Sequence, residues 1–213
     1  MAVKYSQDLN RIILPCKKRC KSCGLYLNQL PIFDTKEQSQ IFWVGLSAVQ
    51  IADDNEKRPL SADTASGSLV AAIEEPFINE LHFYKTNLVK CLPLRDNKIR
   101  YPIEEEMEKC FPNFENELEI YKPSIVFLLG KQVATFISKK YSVGKMNLNG
   151  QFNYDSFSYN GVTYVPIHHP SYILVYKRKH VKKYIRKIQS RFLENIAESN
   201  IKFPNKNSKK RAA

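Results

Sequence analysis

Between residues 41 and 170 the chain alternates four short runs of β-branched and aromatic residues with longer stretches of helical pattern, and this alternation restricts the fold more than any other feature. The runs are IFWVGLSA (41–48), LHFYKTNLVKC (81–91), PSIVFLLG (123–130) and VTYVPIHHP (162–170). The third is apolar throughout, as a strand covered on both faces must be. Helical pattern covers 66–81, interrupted at Pro76, then 102–121, opening on Pro102 and three glutamates, and 131–141, directly after Gly130. Strand and helix in turn predict an α/β fold of three layers, α/β/α, about a mostly parallel central sheet. The segment QFNYDSFSYNGVTYV (151–165), with Asn160-Gly161 between alternating aromatics, predicts a hairpin. No internal repeat or long linker divides the chain, so one domain is expected over 1–200, with a basic tail over 201–213. In open α/β sheets ligands gather at the carboxyl ends of the strands. The sequence puts Gly45-Leu46-Ser47, Thr86-Asn87, Gly130-Lys131 and His168-His169-Pro170-Ser171 there.

Charge is distributed unevenly. The whole chain carries 33 Lys+Arg against 21 Asp+Glu, yet residues 177–213 hold 13 of those cations and only two of the acids. The first 176 residues are therefore almost neutral, at 20 − 19 = +1. The dense part, KRKHVKKYIRK (177–187), has apolar residues at Val181, Ile185, Phe192 and Ile196, a surface helix with one buried stripe. Such a face either solubilises or meets a polyanion. No apolar run is long enough to span a membrane and no secretory leader opens the sequence, so a soluble cytoplasmic monomer with no membrane partner is expected.

Five cysteines, an odd number, argue against a disulfide framework. Cys20 and Cys23 have the two-residue gap that lets two thiolates reach one metal centre, in zinc and iron–sulfur sites alike. With Cys91 at a strand end and Cys110 on the next helix, four thiolates would pin the N-terminal lead-in to the sheet, offset by Lys17, Lys18, Arg19 and Lys21. Buried, chemically idle cysteines are the plainer alternative.

In order along the chain, CKSC (20–23), IFWVGLSA, KRPLSADTASGSLV (57–70), FYKTNLVKCLPLRDNKIRYPIEEEMEKC (83–110), KPSIVFLLGKQVATFI (122–137) and VPIHHPSYIL (165–174) resemble the motifs of the uracil-DNA glycosylase superfamily, most closely its iron–sulfur branch, family 4. The resemblance implies a uracil-DNA glycosylase-like fold and a 4Fe–4S cluster of structural role on Cys20, Cys23, Cys91 and Cys110, with Cys16 spare and zinc the weaker alternative. It implies a monofunctional glycosylase that breaks the N-glycosidic bond of a flipped pyrimidine in DNA. The implied site is Asn87 reading the base edge, His169 donating to the base as it leaves, and a substrate wall of Gly45, Leu46, Ser47, Leu60 and Ser171.

By the same resemblance Ser171 begins a loop pressing on the DNA. Tyr172, Ile173 or Leu174 would fill the vacated stack, and Lys177, Arg178, Lys179, Lys182 and Lys183 would track phosphates near the nucleoid. Two departures stand out. The family carries Gly-Glu-x-Pro-Gly where this chain has Gly45-Leu46-Ser47-Ala48-Val49, so Asp53 and Asp54 are the nearest carboxylates for steadying the sugar cation or attacking water. The aromatic that follows Arg-Pro in the family is Leu60 here. A roomier pocket without an acidic wall tilts the expectation toward a bulkier modified pyrimidine, as in phage defence, with uracil removed in base excision repair as the other substrate. A non-catalytic DNA-binding member is the competing expectation.

Overall fold

The structure is a computed structural model that describes residues 20–34, 39–50, 58–144, 146, 148 and 151–198. Its centre is a five-stranded sheet in the order β2-β1-β5-β7-β6, formed by β1 (Ile41–Ser47), β2 (Phe83–Val89), β5 (Ile125–Leu129), β6 (Phe157–Tyr159) and β7 (Val162–Ile167). β1 pairs in parallel with β2 and β5, and β5 with β7, while β6 alone runs antiparallel at the edge. Two further short strands, β3 (Leu94–Arg95) and β4 (Lys98–Ile99), form a separate hairpin. The helices are α1 (Ala65–Glu74), α2 (Glu104–Tyr121), α3 (Lys131–Lys140), α4 (Pro170–Tyr176) and α5 (Val181–Glu198). The expected α/β/α layering about a mostly parallel sheet is what the chain adopts.

Period-two alternation along the strands divides the core in two. Ile41, Trp43, Phe83, Ile125, Phe127, Leu129, Val165 and Ile167 face one layer, made by α1, α4 and α5. Phe42, Val44, Tyr84, Leu88, Val126, Leu128 and Tyr164 face the other, made by α2 and α3. Phe192 of α5 is fully buried, its ring edge-on to Trp43, Phe77 and Phe127. The basic helix is thus part of the core. Its inner stripe is Tyr184, Ile188 and Phe192, with Val181 and Ile185 only partly buried, one step round from the stripe expected from Val181 and Ile185. Tyr184 carries a hydroxyl and reads as polar in a sequence, yet it finds a partner inside.

The predicted hairpin is present but shorter. Asn160 and Gly161 both have positive φ, as a two-residue turn of the favoured hand requires, and join β6 to β7. Its second arm is the fourth parallel strand, so residues 151–156 are not paired in the sheet. The segment after His169, expected as a loop, is helix α4: Pro170 takes the first position, where its missing N–H costs nothing, and the His169 ring caps the turn. Pro76 ends α1 as expected, converting it to a single tight turn over Glu75–Phe77.

Candidate active site at the carboxyl rim

The strand register brings the motif residues to one height. Gly45 lies opposite Asn87, Val44 opposite Leu128, and Leu129 opposite Ile167, so Asn87 and His169 bracket the carboxyl rim from β2 to β7. Three interstrand steps separate those strands, about 14 Å. Between them the rim is cleared by two glycines. A Cβ on Gly45 would collide with Oδ1 of Asn87, and Gly130, at φ +90, passes 3.3 Å from the His169 Cβ by the same measure.

Asn87 is almost fully buried, and its carboxamide hydrogen-bonds to none of the described residues. Its amide oxygen and nitrogen are not sealed from solvent, so they open at the rim and present one acceptor and two donors to whatever enters there. Its strand is braced on the opposite face. Lys90 Nζ lies 2.6 Å from both Glu117 Oε2 and Thr86 Oγ1, and Tyr84 donates to Glu117 at 3.1 Å. Burial pushes the Glu117 carboxyl up, and the Lys90 ammonium with the two hydroxyls pulls it back down.

His169 is held in one tautomer by geometry. The backbone N–H of Ser171 donates to its Nδ1 at 3.2 Å, and the Ser171 hydroxyl lies 2.8 Å from the same nitrogen. A backbone N–H can only donate, so Nδ1 is bare and the proton sits on Nε2. Burial lowers the pKa, keeping the ring neutral. The product is a neutral imidazole that offers Nε2–H as a hydrogen-bond donor.

His168 does a different job. Tyr184 of α5 donates to its carbonyl at 2.7 Å, the Tyr154 hydroxyl meets its Nδ1 at 2.8 Å, and Arg191 of α5 donates to the Tyr154 carbonyl. The Tyr172 ring stacks on its face at 5.1 Å. Burial, then the charge of Lys177, lowers its pKa. The turn carrying His169 is thereby fastened to the basic helix.

Other expected residues distribute unevenly. Ser47 ends β1 half-buried beside Gly45, and Ser171 is exposed on the first turn of α4. Leu46 leaves the group: strand alternation turns it to the other face, where it packs against the α2–α3 core. Leu60 packs at the edge of the α1–α5 core with φ 51, a conformation uncommon for a branched residue. It is held there because α1 approaches so closely that a Cβ on Gly67 would enter the Leu60 and Ser61 carbonyls. Of the three wedge candidates, Ile173 is buried and Leu174 half-buried, whereas Tyr172 is partly exposed. Val175 and Tyr176, which the sequence reading passed over, are the most exposed apolar residues of α4. Their position at its outer end follows from a helix that was read as a loop. Arg178, Lys179, Lys182 and Lys183 are exposed and Lys177 half-exposed, on the surface that continues from α4. Asp53 and Asp54 lie outside the described residues, as do Cys16 and the tail over 201–213.

The cysteines converge as their spacing suggested. Cys20, Cys23, Cys91 and Cys110 line one cavity with Lys90, Lys109 and Asn113, and all four are free thiols. The lead-in is tied to the strand end by Ile32 N–H to the Lys90 carbonyl at 2.9 Å and Asn28 to the Leu92 carbonyl at 2.9 Å. Cys110 Sγ accepts from Lys90 N–H at 3.4 Å and from Asn113 at 3.6 Å; burial pushes its thiol up, and Lys90 with these donors opposes the rise. Among the described residues no three His, Cys, Asp or Glu side chains are drawn together as around one ion.

Comparison with known proteins agrees with this layout. The sequence profile of the uracil DNA glycosylase superfamily matches residues 32–192, and the chain belongs to that superfamily. Within it the similarity is to the type-4 branch. The type-4 uracil-DNA glycosylase of Thermotoga maritima is 27% identical over 172 residues, covering 79% of this chain and 84% of that one. That of Sulfurisphaera tokodaii is 28% identical over 177 residues, covering 82% and 70%. A crystal structure of Pedobacter heparinus SMUG2 shares the fold with a TM-score of 0.51 over 79% of each chain, at 16% identity.

Proposed function

We propose that the protein is a monofunctional DNA glycosylase that hydrolyses the N-glycosidic bond of a flipped pyrimidine and leaves an abasic site. The observation that carries this is the pairing, on one rim, of an unmatched Asn87 carboxamide with a His169 fixed as a neutral Nε2–H donor. Asn87 pairs with the edge of the extruded base. As the C1′–N1 bond breaks, its electron pair goes to the base, and His169 donates to the oxygen where that charge collects. Water adds to C1′ and gives its proton to a carboxylate, a role we assign to Asp53 or Asp54. Lys177, Arg178, Lys179, Lys182 and Lys183 hold the phosphates. Cys20, Cys23, Cys91 and Cys110 would hold a 4Fe–4S cluster, which supplies a rigid cross-link between lead-in and sheet. The substrate is a pyrimidine bulkier than uracil, of the kind modified phage DNA contains. Supporting this, the wall that carries an aromatic in the family has Leu60, and Leu46 turns from the rim.

The test is incubation with duplexes containing uracil or a 5-substituted pyrimidine and with modified phage DNA, scored by abasic-site cleavage. Base release that falls about 10²–10³-fold in His169→Ala is expected. Release of uracil alone would remove the bulky-base assignment, and tight binding without release from any substrate would leave a DNA-binding protein instead. Absorbance near 400 nm in the purified protein is expected of the cluster; a colourless protein with one zinc per chain would overturn it.

A further inference from the structure

The connection from β2 to α2 holds the β3–β4 hairpin, which lies inside the 83–110 motif and has had no role assigned to it. As a strand-to-helix connection of a parallel sheet it lies at the carboxyl rim, on the far side of Asn87 from α4 and α5. It is rigidly built. Asp96 and Asn97 have φ 51 and 58, the two left-handed positions of a tight hairpin turn. Arg100 grips its base: Nη1 and Nη2 bond the two Glu106 oxygens at 2.8 and 2.5 Å, and the same side chain donates to the Leu94 and Tyr101 carbonyls. Glu106 also accepts from Ile103 N–H at 2.9 Å, closing the first turn of α2.

With Arg100 turned inward, the extended chain from 99 to 103 points its odd residues the other way. Ile99, Tyr101 and Ile103 are all more than half exposed, Tyr101 at 71%. Arg95 and Lys98 are exposed beside them and form no ion pair among the described residues. Of the nearby acids, Glu104 is matched by Lys139 and Glu105 by Lys109, while Asp96 stands exposed in the turn itself between Arg95 and Lys98. The register sets Arg95 opposite Lys98 and alternation turns both away from Tyr101, so the braced hairpin carries two cations on one face and an exposed ring on the other, and these match a nucleic-acid strand in charge and in stacking surface.

We infer that the β3–β4 hairpin is a second DNA contact, holding the duplex flank on the side of the flipped base opposite α4 and α5. This rests on the reading of the rim as a DNA site. Arg95 and Lys98 neutralise two phosphates, and Tyr101 packs on the exposed edge of the stack.

The test measures binding without turnover, by fluorescence anisotropy of the full-length protein with a mixed-sequence duplex lacking any target base, over a series of KCl concentrations. Arg95→Ala/Lys98→Ala should reduce the slope of log affinity against log salt by about 1.8, two phosphates at 0.9 each. Tyr101→Ala should weaken binding roughly fivefold or more at fixed salt with the slope unchanged. Lys182→Ala/Lys183→Ala on α5 is the reference, and matching thermal melts establish that each variant is folded. A slope lowered by the α5 pair while both hairpin variants bind as the parent does would overturn the hairpin contact alone. Slopes unchanged in both pairs would overturn the DNA reading of the rim with it.

Discussion

Gly45 and Asn87 face each other across β1 and β2, and a methyl group on the glycine has nowhere to go except into the carboxamide oxygen. Gly45→Ala should therefore displace the carboxamide proposed to read the base by about an ångström and lower single-turnover base release about 10²-fold, with the thermal midpoint little changed. A large fall in melting temperature with normal release per folded molecule would contradict this. His169 makes a prediction in pH. Its working form is neutral and burial depresses its pKa, so activity should persist below the ordinary histidine value and fall only as pH drops through the depressed one. The stability it lends has the same sign, present above the unfolded pKa and lost on acidification. Ser171→Ala removes the hydroxyl at Nδ1, though not the backbone donor, so the acid limb of the pH–rate profile should move upward. At this scale the sequence singled out Asn87 and His169, which the fold brings to one rim, because their order and spacing matched a family pattern. It could not say that His169 has a bare Nδ1, or that Leu46 faces the other layer, since each depends on where neighbours lie.

Among the elements, the strands were the most legible. Each of the four predicted runs contains an observed strand, trimmed by at most three residues at either end, because an apolar run and its turn signals are local properties. Helix α4 and the β3–β4 hairpin were missed for opposite reasons. Seven residues opening on His-Pro-Ser give too little periodicity to count as helix, and Asp96-Asn97 is a weaker turn signal than Asn160-Gly161. Helix α5 shows what an element owes to its partners. Phe192 touches residues from three other parts of the chain, and Phe192→Ala should cost about 3–5 kcal/mol, read as a lowered denaturant midpoint. Tyr184→Phe leaves the packing and removes the bond to the His168 carbonyl, costing about 1 kcal/mol. Because that carbonyl belongs to the turn bearing His169, its effect on base release should exceed its effect on stability. Proportionate losses would reduce Tyr184 to a packing residue.

For the molecule as a whole, two features of the sequence meet at one rim. The cations from Lys177 to Arg191 are carried on α5 and the turn before it, and the inner face of that helix is core, so they stand fixed beside the candidate site. The cysteines stand at the edge strand β2, where they join the lead-in to the sheet. Cys91→Ser should remove absorbance near 400 nm and lower the thermal midpoint by several degrees, while DNA affinity at α5 is retained. A variant that keeps the absorbance would take Cys91 out of the ligand set. Alternating apolar runs, turn residues and cysteine spacing act over a few positions, which is why the layered α/β fold, the converging thiols and the motif residues could be read along the chain. The register that sets Asn87 against Gly45, the tautomer of His169, the outward face of the hairpin and the inward turn of Leu46 arise from contacts between residues far apart. Packing alone decided them.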